Sequence, residues 1–149
     1  FERVIQTRGQ AIGDLALGPT SKRWDYAVRT AVMQDDAVKY VLSAVISPGA
    51  MAKLVQQQNL PPGWVGVVLV ASDRIVARTL GPEETAGQLA SQSLRSALAG
   101  APTGWFRGST IEGAEVFTPY RKAPTSGWTF AMGIPATTVE ASATRAFVR

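Results

Sequence analysis

The 149 residues include 15 basic and 11 acidic side chains, a net charge of +4, and are 46% hydrophobic, enough for one domain with a proper core or one plus part of another. The chain has no Cys and no His, which excludes a disulfide, a thiolate nucleophile, a His general base and a haem held by either residue, though Met ligation stays open. Its basic residues are dispersed, with only Lys22-Arg23 and Arg121-Lys122 adjacent, unlike the charged stripe of a nucleic-acid binder.

Phe1 to Gln10 reads as the end of a helix, with Val4 and Ile5 as its apolar positions. Ala11 to Leu17 alternates weakly and stops at Gly18-Pro19. Arg23 to Gln34 is a long strand with Trp24, Tyr26, Val28, Thr30 and Val32 on one face. Asp35-Asp36 turns the chain into a β-branched partner strand from Val38 to Ile46. Ser47 then caps, and Pro48 opens, a helix that buries Ala50, Met51, Leu54 and Val55 and ends near Asn59. Leu60-Pro-Pro-Gly63 is the clearest linker.

Trp64 to Ala71 is almost continuously apolar, the pattern of a central strand covered on both faces, and is far too short to span a bilayer. Ser72-Asp73-Arg74 turns it into a second strand, Ile75 to Thr79, and Gly81 to Thr85 is a loop or short helical turn. Ser91 starts a second helix with Leu94, Ala97 and Leu98 on one side and Gly100 as its stop. Three strands follow: Trp105 to Thr110, Ala114 to Lys122, and a third from Trp128. Glu112-Gly113 supplies a tight turn between the first two, and Ala123 to Gly127 a longer loop before the third. Trp105, Arg107 and Ser109 alternate with Phe106, Gly108 and Thr110, while Trp128, Phe130, Met132 and Ile134 share a face. Ala136 to Arg149 reads as an exit helix. From Trp64 onward this is an α+β pattern, five antiparallel strands with helices covering one face of the sheet. Starting at Phe1 with neither Met nor a charged leader, the chain is expected to be a piece of a longer protein.

These landmarks resemble the extracytoplasmic Cache domains, PAS-like sensor modules of bacterial receptors. Leu60-Pro-Pro-Gly-Trp-Val65, Val70-Ala-Ser-Asp-Arg-Ile-Val-Ala-Arg78, Gly104-Trp-Phe-Arg-Gly108 and Gly127-Trp-Thr-Phe-Ala-Met-Gly-Ile-Pro135 look like the membrane-proximal module of double-Cache sensors. Arg74 departs from the Gly common in the Asp-Gly-Arg hairpin of that family. Ala11 to Pro19, the strand from Trp24, and Val38 to Ile46 look like closing strands of the membrane-distal module. The resemblance implies three parts: 1–59, the closing strands and linking helix of a partial distal module; 60–135, the proximal PAS-like module; and 136–149, an exit helix toward the membrane. It further implies the extracytoplasmic, periplasmic sensing input of an inner-membrane receptor, a two-component histidine kinase ahead of other outputs. The piece itself would be non-enzymatic and free of cofactors. The alternative is a structural or dimerisation spacer of the same receptor type that binds no ligand.

Candidate ligand-binding residues are Trp105, Arg107, Thr118, Tyr120, Trp128 and Met132. Arg107, Thr118 and Tyr120 share a face if the Glu112-Gly113 turn sets the register, and a guanidinium beside a phenol suits a carboxylate. The alternative is a solvated Arg107 and a Tyr120 packed in the core. Trp105, Trp128 and Met132 either line the same pocket or are plain core. Arg78 either reaches a ligand or is solvated at its strand end, and Asp73 serves its turn. Asp35-Asp36 and Glu83-Glu84 lack the ligand spacing of a calcium loop and read as solvated turns. Ser109-Thr110 has neither a His partner nor a nucleophile elbow. The expected partners are a small-molecule ligand, anionic if Arg107 and Tyr120 face it, and a second copy forming a homodimer; the mild positive charge by itself fits an anionic ligand or an anionic membrane surface equally, and a solvated surface better than either. The parent protein would be membrane-anchored, and no nucleic acid is expected.

Overall fold

A computed structural model describes residues 1–147. The short helix α1 (Glu2–Thr7) ends at Arg8 in left-handed backbone. Strands β1 (Gln10–Ile12) and β2 (Ala16–Leu17) follow one another along one edge of β3 (Trp24–Gln34), and β4 (Ala37–Ile46) pairs antiparallel with the other edge. The β3–β4 turn places Asp35 and Asp36 at φ 51° and 60°, a conformation that Asp tolerates and β-branched residues do not.

Helix α2 (Pro48–Gln56) starts with Pro48 in its first turn, where the missing N–H leaves nothing unsatisfied. Ser47 has the extended backbone of a cap, but its side chain makes no capping hydrogen bond. The buried side of α2 differs from the expected stripe: Ala52 and Val55 are buried, whereas Ala50 and Leu54 are exposed. Tertiary contact selects that side, because α2 lies against β3 and the strand Ile75–Arg78.

The remaining elements are β5 (Val65–Leu69), β6 (Ile75–Arg78), α3 (Pro82–Thr85), α4 (Gln92–Gly100), β7 (Thr103–Ser109), β8 (Glu115–Lys122), β9 (Thr129–Pro135) and α5 (Ala136–Phe147). The five strands form one antiparallel sheet in the order β6-β5-β9-β8-β7. The apolar run seen in the sequence is β5, paired on both edges. Ser91 caps α4 by accepting a hydrogen bond from the Leu94 N–H at 3.4 Å.

Two core clusters lie on opposite faces of this sheet. On one face Val68, Val70, Val76 and Ala77 pack with Ala52 and Val55 of α2, with Tyr26 of β3 and with Leu15, just before β2. On the other, Leu69, Ile75, Ala131 and Tyr120 pack with Ala90 and Leu94. Both faces of the β5–β6 half are therefore covered, as the continuous apolar run implied for β5. Over β7 and β8 only the α4 face is buried, and the outer face is open to solvent apart from the flanking α5.

Candidate functional site

Strand β9 places Thr129, Ala131 and Gly133 on the α4 side and Phe130, Met132 and Ile134 on the other. Because Ala131 and Gly133 are small, the sheet does not fill the space beneath α4. A cavity of about 50 Å³ remains there. Its apolar wall comes from Val65, Val67, Leu94, Phe106 and Val116, while Ser91, Thr118 and Arg78 bring polar groups to it. Ser109, Thr110 and Ile111, at the end of β7 and the start of the β7–β8 loop, form its rim.

Among the described residues Arg78 is the only charged side chain of the lining. It is 3% exposed at the end of β6, a strand whose four residues are all buried. Its guanidinium donates to both carboxylate oxygens of Glu112, at 2.5 and 2.7 Å, and to the Leu80 carbonyl oxygen at 3.2 Å. The Arg78 hydrogen bonds hold the Glu112 carboxyl at about 2, down from its usual 4.5. The loop backbone and the Thr110 hydroxyl act in the same direction, and partial burial opposes them.

Glu112 reaches Arg78 because the β7–β8 connection is not a two-residue turn. Ser109 pairs with Glu115, leaving a five-residue loop, Thr110 to Ala114. Thr110 closes the loop: its N–H donates to the Ala114 carbonyl and its carbonyl accepts from the Gly113 N–H, both at 3.0 Å. A tight turn on Glu112-Gly113 would have set Arg107 opposite Thr118, whereas Arg107 pairs with Phe117 and Gly104 with Tyr120. A shift of one residue exchanges faces. The expectation that Arg107, Thr118 and Tyr120 share a face is therefore corrected: Arg107 lies on the opposite side of the sheet from the other two.

Of the six residues singled out in the sequence, Thr118 lines the cavity and Tyr120 stands beside it on the same face. The Tyr120 hydroxyl lies 3.0 and 3.1 Å from the Ala97 and Ala101 carbonyl oxygens, tying the end of α4 to the sheet. Arg107 is exposed on the outer face, paired with Glu115 at 3.1 Å and with Glu140 of α5 at 3.2 Å. Trp105 is 70% exposed on that face, its ring 5.9 Å from that of Phe117, and half-buried Met132 points the same way. Trp128 precedes β9 and packs edge-on against Tyr26 at 5.0 Å, in the core shared with the N-terminal strands. Trp105 and Trp128 thus do not share a pocket.

From sequence alone Arg78 either reaches a ligand or is solvated, and Glu112 only forms a turn. One signal was available: an Arg closing the buried run Ile75-Val-Ala-Arg78 needs a counter-charge. Glu112, 34 residues later, could not be picked out as its partner from local pattern. A second, larger cleft of about 500 Å³ lies between Lys22-Arg23, the start of α2 and α3. Its Lys22, Arg23 and Lys53 are all exposed to water. Among the described residues no group of three or more acidic side chains is gathered to hold a metal, and no helix is long and apolar enough to cross a membrane.

No protein-family model and no curated protein matches the sequence. Solved structures do match the fold. The extracellular domain assigned to a histidine kinase, mmHK1S-Z3, superposes with a TM-score of 0.78 at 11% identity, covering 97% of this chain and 55% of that one. A second such domain, rpHK1S-Z16, gives 0.71 at 18% identity, over 89% and 56% of the two chains. The sensory domain of the Campylobacter jejuni chemoreceptor Tlp3, solved with isoleucine bound, gives 0.65 at 15% identity, over 94% and 54%. The chain spans a little over half the length of these domains. It has the Cache-like fold of the extracellular sensor domains of histidine kinases and chemoreceptors.

Proposed function

We propose that this chain is an extracytoplasmic small-molecule-sensing portion of a membrane-anchored receptor, with a histidine kinase as its output. Residues 60–135 would be the membrane-proximal PAS-like module, 1–59 the closing part of a distal one, and 136–149 the path to the membrane. The observation that carries the reading is the cavity under α4, apolar on most of its wall and provided with a single buried guanidinium. Ligand capture would alter the packing of α4 on the sheet, and β9 runs from Pro135 directly into α5 at Ala136 without a loop. A strand displacement there would pass to the helix. Such a switch needs only a differential ligand affinity of a few kcal/mol between two arrangements.

The test is a thermal-melt panel of small acids, amines and amino acids on the wild-type chain and on Gly133→Leu, which fills the cavity. A ligand at about 100 times its Kd stabilises the folded state by about 2.7 kcal/mol. The expected outcome is a specific rise in Tm that Gly133→Leu abolishes. The small cavity volume favours the spacer as the second reading, and a flat panel on the wild type would select it. A homodimer belongs to the same proposal, because β4 pairs only with β3 and leaves an edge open among the described residues. Light scattering at the mass of one chain would remove it.

A further inference from the structure

We propose that Arg78 is the anchor for a small carboxylate ligand and that Glu112 is its tethered stand-in, filling the anchor until the ligand displaces it. The inference rests on the reading of the cavity as a ligand site and names the chemistry of its guest.

A guanidinium buried as deeply as that of Arg78 needs a counter-charge at all times, because an unpaired ion in the interior is strongly destabilising. The two partners are held very differently. Arg78 belongs to a sheet strand and exposes 4% of its side-chain surface, whereas Glu112 sits on a loop and exposes 46%. Glu112 is therefore the one that can leave, since its carboxylate regains hydration at the surface while Arg78 has nowhere to go. What replaces it must be planar and anionic and must accept two parallel N–H bonds, which is a carboxylate. Glu112 already makes that pair of bonds, so the anchor is formed before any ligand arrives.

The position of the loop supports the exchange. Thr110 and Ile111 line the rim, so releasing Glu112 loosens the segment that encloses the cavity. The apolar wall of Val65, Val67, Leu94 and Phe106 would receive a short hydrocarbon body, and the present volume of about 50 Å³ suits a monocarboxylic acid of very few carbons. A tethered competitor also sets the sensitivity. Glu112 is present at a high effective concentration, which weakens the apparent affinity for any free acid. Only a carboxylate at high concentration, or one with added apolar contacts, displaces it.

The experiment is chemical rescue on the whole chain. Wild type, Glu112→Ala and Glu112→Gln are melted in sodium acetate and in sodium chloride at equal ionic strength, and acetate affinity is measured by NMR titration. In chloride, Glu112→Ala is expected to melt below wild type; in acetate the difference closes. Acetate binds Glu112→Ala at least about tenfold more tightly than wild type, because the competitor is gone. Acetamide, neutral and nearly the same shape, gives no rescue. If Glu112→Ala folds only in acetate, that also supports the anchor. Should Glu112→Ala not fold at all, Glu112→Gln keeps the loop and must still bind acetate more tightly than wild type. Equal effects of acetate and chloride on the folded variants, or equal acetate affinity for wild type and variants, overturn the proposal. Failure here is separable from failure of the sensing reading. Panel hits among amines or neutral molecules without acetate rescue keep sensing and remove the anchor. Rescue alongside a flat wild-type panel keeps the anchor and removes sensing.

Discussion

Glu112 gives the molecule a pH signature of known sign. Its carboxyl titrates at about 2 in the folded chain against a usual 4.5, so the unfolded chain takes up the proton first as pH falls. The stability contributed by the ionised pair is fully present above 4.5 and drains away as pH drops through about 2. Arg78 is the charged group facing it, and the other side-chain contributor, Thr110, is neutral. Glu112→Gln is therefore expected to melt below wild type by a constant margin above 4.5, and the margin should narrow to nothing toward pH 2. A margin independent of pH would show that the variant acts through shape. At pH 7, Glu112→Ala should lower stability by roughly 1–3 kcal/mol, less than the ~3–5 of a fully buried broken pair because Glu112 is half open to water. Arg107→Ala offers the contrast. Its ion pairs are solvated, so its Tm should match wild type within error despite two carboxylate neighbours.

At the scale of elements, local pattern and local chemistry agree almost everywhere. The alternation from Trp24, the apolar run at β5 and the Ser91 cap each identify an element, because each depends on neighbours within a few residues. The face that each side chain takes is a different matter. Whether Arg107 joins Thr118 or Phe117 depends on the number of residues left unpaired between β7 and β8, and that number is set in part by Glu112 reaching back to Arg78 on β6. The position of α2 follows the same logic: helical periodicity alone does not decide between Leu54 and Ala52, and the strands beneath the helix do. The cavity was illegible for a related reason, since it arises from small residues on β9 meeting a helix some 30 residues earlier in the chain. Close approach of α4 to β7 also depends on Gly108. A Cβ there would lie 2.7 Å from Ser93 Cβ, and Ser93 Oγ accepts from the Ser109 N–H at 3.2 Å and donates to the Ser109 carbonyl at 3.0 Å. Gly108→Ala should lever α4 from β7 and destabilise by roughly 1–3 kcal/mol, measured as a lower urea midpoint. An unchanged midpoint would mean that the close approach of α4 to β7 at Gly108 carries no stability.

Among the described residues the two sheets share one of the two core clusters, so the parts of the molecule should not unfold separately. Tyr26 of β3 and Leu15, just before β2, are buried among Val68, Val70 and Ala77 on the five-stranded side, and Ser72 Oγ donates to Asp14 Oδ1 at 2.8 Å across the junction. Trp24 closes the same junction, with the Arg74 guanidinium 5.5 Å from its ring centre. Gly87 permits this contact twice over. Its φ of +82° disfavours any other residue, and a Cβ would fall 2.3 Å from the Trp24 ring. Gly87→Ala therefore combines backbone strain with a clash against a half-buried indole and should lower stability by roughly 2–4 kcal/mol. If the two sheets form one cooperative unit, tryptophan fluorescence and far-UV circular dichroism will follow a single urea transition in both wild type and variant, shifted together to lower midpoint. The N-terminal strands bury few residues of their own, since β4 has none that is fully buried, so they depend on the five-stranded sheet for their core. A fluorescence transition that runs ahead of the dichroism in Gly87→Ala would mean that the junction opens first and that the five-stranded sheet stands alone.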